Sequence, residues 1–171
     1  MDTLEKLSKE EAVLQSMQET YAGKIPSGFS KQANEGRSLY ESSEFPTRKD
    51  EYWKYTRTNQ IANKKWKFSG NSEAHLPEDL PLAKYRLVFV NGVFDSDKST
   101  LPQVEGLRFL PFTSSDEPAS QISAKPHIFE ALNSAMPQDG YILELSKNIV
   151  VDDFIQVVFL YDGDTVVSQP R

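Results

Sequence analysis

At the polar, proline-bearing connector SGNSEAHLPEDLPLA, residues 69–83, the periodicity of the chain changes, and this change limits the fold more than any other feature. Before it, Leu4, Leu7, Leu14, Met17 and Tyr21 recur three, four or seven residues apart, the spacing of one helix face. Ser8-Lys9-Glu10-Glu11 matches a capping box, so a helix start or restart is expected at Ser8, with Gly23 and Pro26 ending the element. Phe29, Ala33 and Leu39 or Tyr40 suggest a second helix, weakened at Gly36 by about 1 kcal/mol relative to alanine. Pro46 stops the chain, and Thr47-Arg48-Lys49-Asp50 signals a short third helix carrying Tyr52, Trp53 and Tyr55.

After the connector, YRLVFVNGVFDSD reads as a β-hairpin closed by Asn91-Gly92, the turn dipeptide that best matches strand twist. Further strand-like runs cover 107–110, 141–145, 148–151, 154–161 and 165–167, separated by Pro111, Gly140, Asp152-Asp153 and Asp162-Gly163. Between them, PHIFEALNSAM sets Ile128, Phe129, Leu132 and Met136 on one helical face, ended by Pro137. Helices first and strands later argue for an α+β fold with an antiparallel or stacked β part, against an alternating doubly wound sheet. The expected division is a helical domain over 1–68, a linker over 69–83 and a β-rich region over 84–171. The run after Asp162-Gly163 has no evident partner, so the strand is expected to pair in a longer chain.

With 171 residues the chain buries roughly 70% of its unfolded surface, and 38% hydrophobic against 26% charged residues excludes wholesale disorder. Cysteine is absent, which removes disulfides, thiolate nucleophiles, zinc fingers and cysteine-held clusters for this chain taken alone. No run approaches the ~18 apolar residues of a membrane span, and the N-terminus carries charges in place of an apolar leader. A cytoplasmic protein that does not engage a membrane is expected.

Catalytic patterns are missing. His75 lies in the connector and His127 at a helix start, and no Gly-x-Ser-x-Gly elbow accompanies them. Neither His-Glu-x-x-His nor a phosphate-binding glycine loop occurs, and the acidic turns at 95–97, 152–153 and 162–164 are too sparse for a calcium loop. A non-enzymatic chain is expected.

One segment remains. Residues 48–67 hold Arg48, Lys49, Lys54, Arg57, Lys64, Lys65 and Lys67 against Asp50 and Glu51, a local charge of +5 in a chain of −6, which leaves −11 elsewhere. Tyr52, Trp53, Tyr55 and Trp66 interleave with these cations. The segment suits single-stranded nucleic acid by stacking and backbone neutralisation, or a protein partner. The expected arrangement is a structural one, with Tyr52 and Tyr55 packed inward on one helix face and the lysines reaching out to solvent.

KDEYWKYT (residues 50–56 preceded by Lys49), LVFVNGVF (87–94) and FEALNSAMPQDGYILELSKNIVVDDFIQVVF (129–159) resemble, in order and spacing, three motifs of the SufD proteins. These belong to the SufB/SufD family of the SUF iron–sulfur cluster assembly system. The chain departs from the family pattern at Asp153-Phe154 and at Gln169. The resemblance implies an N-terminal helical domain followed by the first strands of a right-handed parallel β-helix. It further implies a scaffold or accessory subunit that supports iron acquisition and complex formation, with SufB-like and SufC-like ATPase partners, no nucleic acid, and room for a homodimer at exposed strand edges. No cofactor is expected on this chain, the iron–sulfur cluster being handled by the whole complex. The motif residues carried over are Glu51, Trp53, Lys54, Tyr55, Thr56, Asn91, Gly92, Leu132, Asn133, Asp139 and Gly140, all with an expected structural role.

Overall fold

A computed structural model describes residues 7–69, 72–114 and 127–171. Leu4 therefore lies outside the described residues. Among the described residues, four α-helices, α1 (Lys9–Gln18), α2 (Ser30–Glu41), α3 (Asn59–Ala62) and α4 (Ile128–Ala135), accompany seven strands: β1 (Lys67–Phe68), β2 (Tyr85–Val90), β3 (Val93–Phe94), β4 (Leu107–Pro111), β5 (Tyr141–Leu145), β6 (Ile155–Leu160) and β7 (Val166–Val167). The fold is α+β.

The capping box forms as expected: Ser8 Oγ accepts from Glu11 N at 3.1 Å, and Glu11 Oε2 accepts from Ser8 N at 2.7 Å. This fixes α1 so that Val13, Leu14 and Met17 face inward, whereas Leu7 precedes the helix and stays exposed. Their partners are Tyr40 of α2, Phe45, Ala62 of α3, and Ile128, Ala131, Leu132, Ala135 and Met136 of α4. The core is therefore made by early and late sequence together. Gly36 explains how closely α2 and α4 approach, since a Cβ there would lie 2.7 Å from Ser134 Cβ and 2.8 Å from the Ala131 carbonyl.

The third expected helix is not continuous. Thr47 N and Oγ1 both donate to Asp50 Oδ2, closing a turn, and Glu51–Trp53 forms a single 3-10 turn before α3 begins at Asn59.

The Asn91-Gly92 hairpin forms between β2 and β3, pairing Val90 with Val93. Both turn residues take positive φ, 49° and 85°, the combination a two-residue type I′ turn requires. The longer pairing departs from the antiparallel expectation. β2 pairs with β6 in parallel over six residues, from Tyr85↔Ile155 to Val90↔Leu160, and β1 pairs with β7 in parallel. Parallel pairing needs a long crossover, and the sixty-odd residues containing α4 supply it; the order of element types along the chain carries no record of strand direction. β4 and β5 pair antiparallel.

The run at 148–151 is not a strand, because Asn148 turns the chain at φ 66°. The strand at 166–167, expected to lack a partner, is paired with Lys67–Phe68 of β1. The sheets have two or three strands and remain open. Among the described residues, no helix is long and apolar enough to cross a membrane.

Candidate functional site

The motif residues gather in two places. The first is the 3-10 turn at Glu51–Trp53. Trp53 packs its indole against Phe129 at 5.1 Å and edge-on to His127 at 5.7 Å between ring centroids, fastening the turn to the start of α4. Tyr52 and Tyr55 do not pack inward as expected: they are 97% and 90% exposed. The reason is geometric. The 3-10 turn ends at Trp53, so Tyr55 lies beyond it; Phe129 and His127 pack on the Trp53 ring, and the two tyrosines stay exposed. Glu51, Lys54 and Thr56 are exposed as well, with Lys54 Nζ 5.6 Å from the Tyr55 ring centre.

Trp66 does follow the packing expectation. Its backbone N–H donates to Ser16 Oγ at 3.0 Å and its indole N–H to the Ile61 carbonyl at 2.9 Å.

From Tyr55 the chain runs directly into the wall of a cleft of about 480 Å³, lined by Arg48 and Arg57 together with Pro46, Thr47, Thr56 and Asn59. Buried Thr58 secures its floor by donating from Oγ1 to the Pro46 carbonyl.

The second place is a junction where three stretches of chain meet residues 168–171. Asn91 is fully buried; its Oδ1 accepts from Asp162 N at 2.8 Å and its Nδ2 donates to the Asp162 carbonyl at 3.1 Å. The Asn91 carbonyl accepts from Gln138 Nε2 at 2.9 Å. Gly92 must lack a side chain here, because a Cβ would lie 2.1 Å from Gln138 Oε1. Asp139 accepts from Phe94 N and from Gly140 N, both at 2.8 Å. Gly140 abuts the Arg171 carbonyl, which a Cβ would meet at 1.9 Å.

The backbone of 169–171 runs beside 138–141 through Gln138 N to Gln169 O, Arg171 N to Asp139 O and Tyr141 N to Arg171 O, at 2.8–3.0 Å. Asn133 donates from Nδ2 to the Pro170 carbonyl at 3.3 Å and accepts from Arg171 Nη1 at 2.7 Å. Leu132 is buried in the core. With its amide nitrogen turned toward α4, Gln169 donates to the Leu132 and Met136 carbonyls at 3.1 and 2.9 Å, closing the end of that helix. The Arg171 guanidinium lies 4.5 Å over the Phe29 ring, and burial holds its pKa below the usual arginine range.

Chemically, the junction is a clasp: most of its polar groups bond to one another, Ser168 Oγ being buried without a hydrogen-bond partner, and among the described residues no nucleophile sits beside a base there. The two histidines stay apart, His75 exposed in the connector and His127 accepting at Nδ1 from Glu130 N at 3.4 Å as the cap of α4. Among the described residues no three of His, Asp and Glu gather into a metal-holding group. Asp95 is engaged by Lys98, whose ammonium at 2.6 Å lowers the carboxyl pKa. Sequence reasoning missed Gln138, Asp162, Gln169 and Arg171. Asp162 was visible only as an Asp-Gly turn, and nothing linear pairs that turn with Asn91. Models of known protein families were searched without a match, and no curated protein matches the chain.

Proposed function

We propose that the chain is a SufD-like scaffold portion, acting in the cytoplasm within a SUF-type assembly that includes SufB-like and SufC-like ATPase subunits and builds iron–sulfur clusters. On this reading it supports complex formation and iron acquisition without carrying out the chemistry itself, and β2 and β6 are opening rungs of a right-handed parallel β-helix.

The observation that carries the reading is the parallel β2–β6 pairing. Register places Phe89 beside Phe159, and their rings stack at 5.5 Å, as in-register parallel rungs do. β2, with a neighbour at both edges, is almost wholly buried, whereas the outer edge of β6 has no strand partner among the described residues. Val157, Phe159 and Tyr161 alternate along it at 50%, 45% and 62% exposure. A further parallel rung would cover this apolar row.

Deletion of the gene, with iron–sulfur enzyme activities measured in the cell, tests the reading alongside co-purification with SufB-type and SufC-type subunits. Reduced activities and co-elution are expected. Unchanged activities with no co-elution would overturn the proposal.

A further inference from the structure

We infer that Tyr52, Tyr55, Arg48 and Arg57 form a docking face for an acidic peptide segment of a partner protein. Tyr52 and Tyr55 are 97% and 90% exposed, and Trp53, between them in sequence, is held by Phe129 and His127. The backbone that carries the tyrosines is thus anchored through Trp53 before any ligand arrives, which lowers the ordering cost of binding. Tyrosine and arginine are the side chains that interfaces favour, because each offers a large rigid plane at small entropic cost.

Charge selects the ligand. None of Arg48, Lys49, Lys54, Arg57, Lys64, Lys65 and Lys67 forms an ion pair among the described residues, whereas Lys31, Arg37, Lys84, Lys98 and Arg108 do. Arg48 and Arg57 line one cleft and present guanidinium forks that match carboxylates two-point to two-point. The field is short in reach: +5 over 48–67 is set in a body of −11. Beyond a screening length of about 8–10 Å, a long polyanion such as nucleic acid meets the acidic body, while a short acidic segment stays on the strip. Proline or aromatic residues of that segment would lie over the tyrosine rings.

The test measures fluorescence anisotropy of a labelled peptide of alternating glutamate and proline against the whole chain, beside an oligothymidylate of matched charge. Binding that weakens with salt is expected, together with an affinity loss of at least about tenfold in R48E/R57E and in Y52A/Y55A. Unfolding midpoints should stay at wild type, since all four side chains are exposed; Arg57→Gln alone serves if a double variant fails to fold. Absence of peptide binding at low salt, or equal affinity in the variants, would overturn the inference. Tighter binding of the oligothymidylate would also overturn it and assign the face to nucleic acid. No assembly subunit enters the measurement, so its outcome is independent of the scaffold reading.

Discussion

Neighbouring aromatic residues of the EYWKY stretch have opposite fates. Trp53 loses contacts with Phe129 and His127 when truncated, and because the indole is only half buried the expected cost of Trp53→Ala is about 1–3 kcal/mol, below the range for a fully buried tryptophan. Tyr52→Ala and Tyr55→Ala touch nothing comparable and should stay within about 0.5 kcal/mol. Denaturant unfolding of the three variants checks the contrast. Tyr21 gives a pH signature. Its hydroxyl donates to the Pro137 carbonyl at 2.6 Å, and burial raises its pKa from 10.0 to about 12. The unfolded chain therefore ionises first as pH rises, so this contribution is intact below pH 10 and is lost between pH 10 and about 12. Alkaline unfolding profiles should fall less steeply in that window for Tyr21→Phe than for wild type.

At the level of elements, Gly36 sets propensity against packing. Helix propensity alone credits Gly36→Ala with a gain of about 1 kcal/mol. The added methyl would meet α4 backbone and Ser134 at under 3 Å, so a net loss of about 1–3 kcal/mol is expected from thermal or denaturant melts. The same contrast explains what the sequence reveals. The capping box at Ser8, the Asn91-Gly92 turn and the apolar face of α4 are legible because they are settled within a few residues. Strand direction was not, since β2 and β6 are joined by a crossover of sixty-odd residues. The exposure of Tyr52 and Tyr55 was hidden for a related reason: the helix expected through them stops as a 3-10 turn at Trp53, and of these aromatics it is Trp53 that packs on Phe129 of α4. In the clasp, Asn91, Asp139 and Gly140 were visible as motif residues, but the 168–171 segment that they grip was not.

For the whole molecule, Asn91 links the hairpin, the Asp162 turn and Gln138 at a site closed to water. Asn91→Ala would leave the Asp162 amide and carbonyl without their side-chain partner, with an expected loss of about 1–3 kcal/mol. Because the clasp joins the β3-β2-β6 and β4-β5 sheets to α4, native-state hydrogen exchange should show the amides of Tyr141 and Asp162 losing protection together in that variant; independent loss would mean that the parts open separately.

The pairing of β1 with β7 also bears on synthesis. Lys67 and Phe68 leave the ribosome about a hundred residues before Val166 and Val167, and translation at ~5–20 residues per second makes that interval roughly 5–20 s. For about the first sixty residues of it, until α4 is made, the apolar faces of α1 and α2 lack the covering that α4 provides, and β7 follows about thirty residues later. The nascent chain thus carries its first two helices uncovered until α4 is made, and its vulnerability to aggregation during translation is set by how late that helix, and then the closing strand, is made.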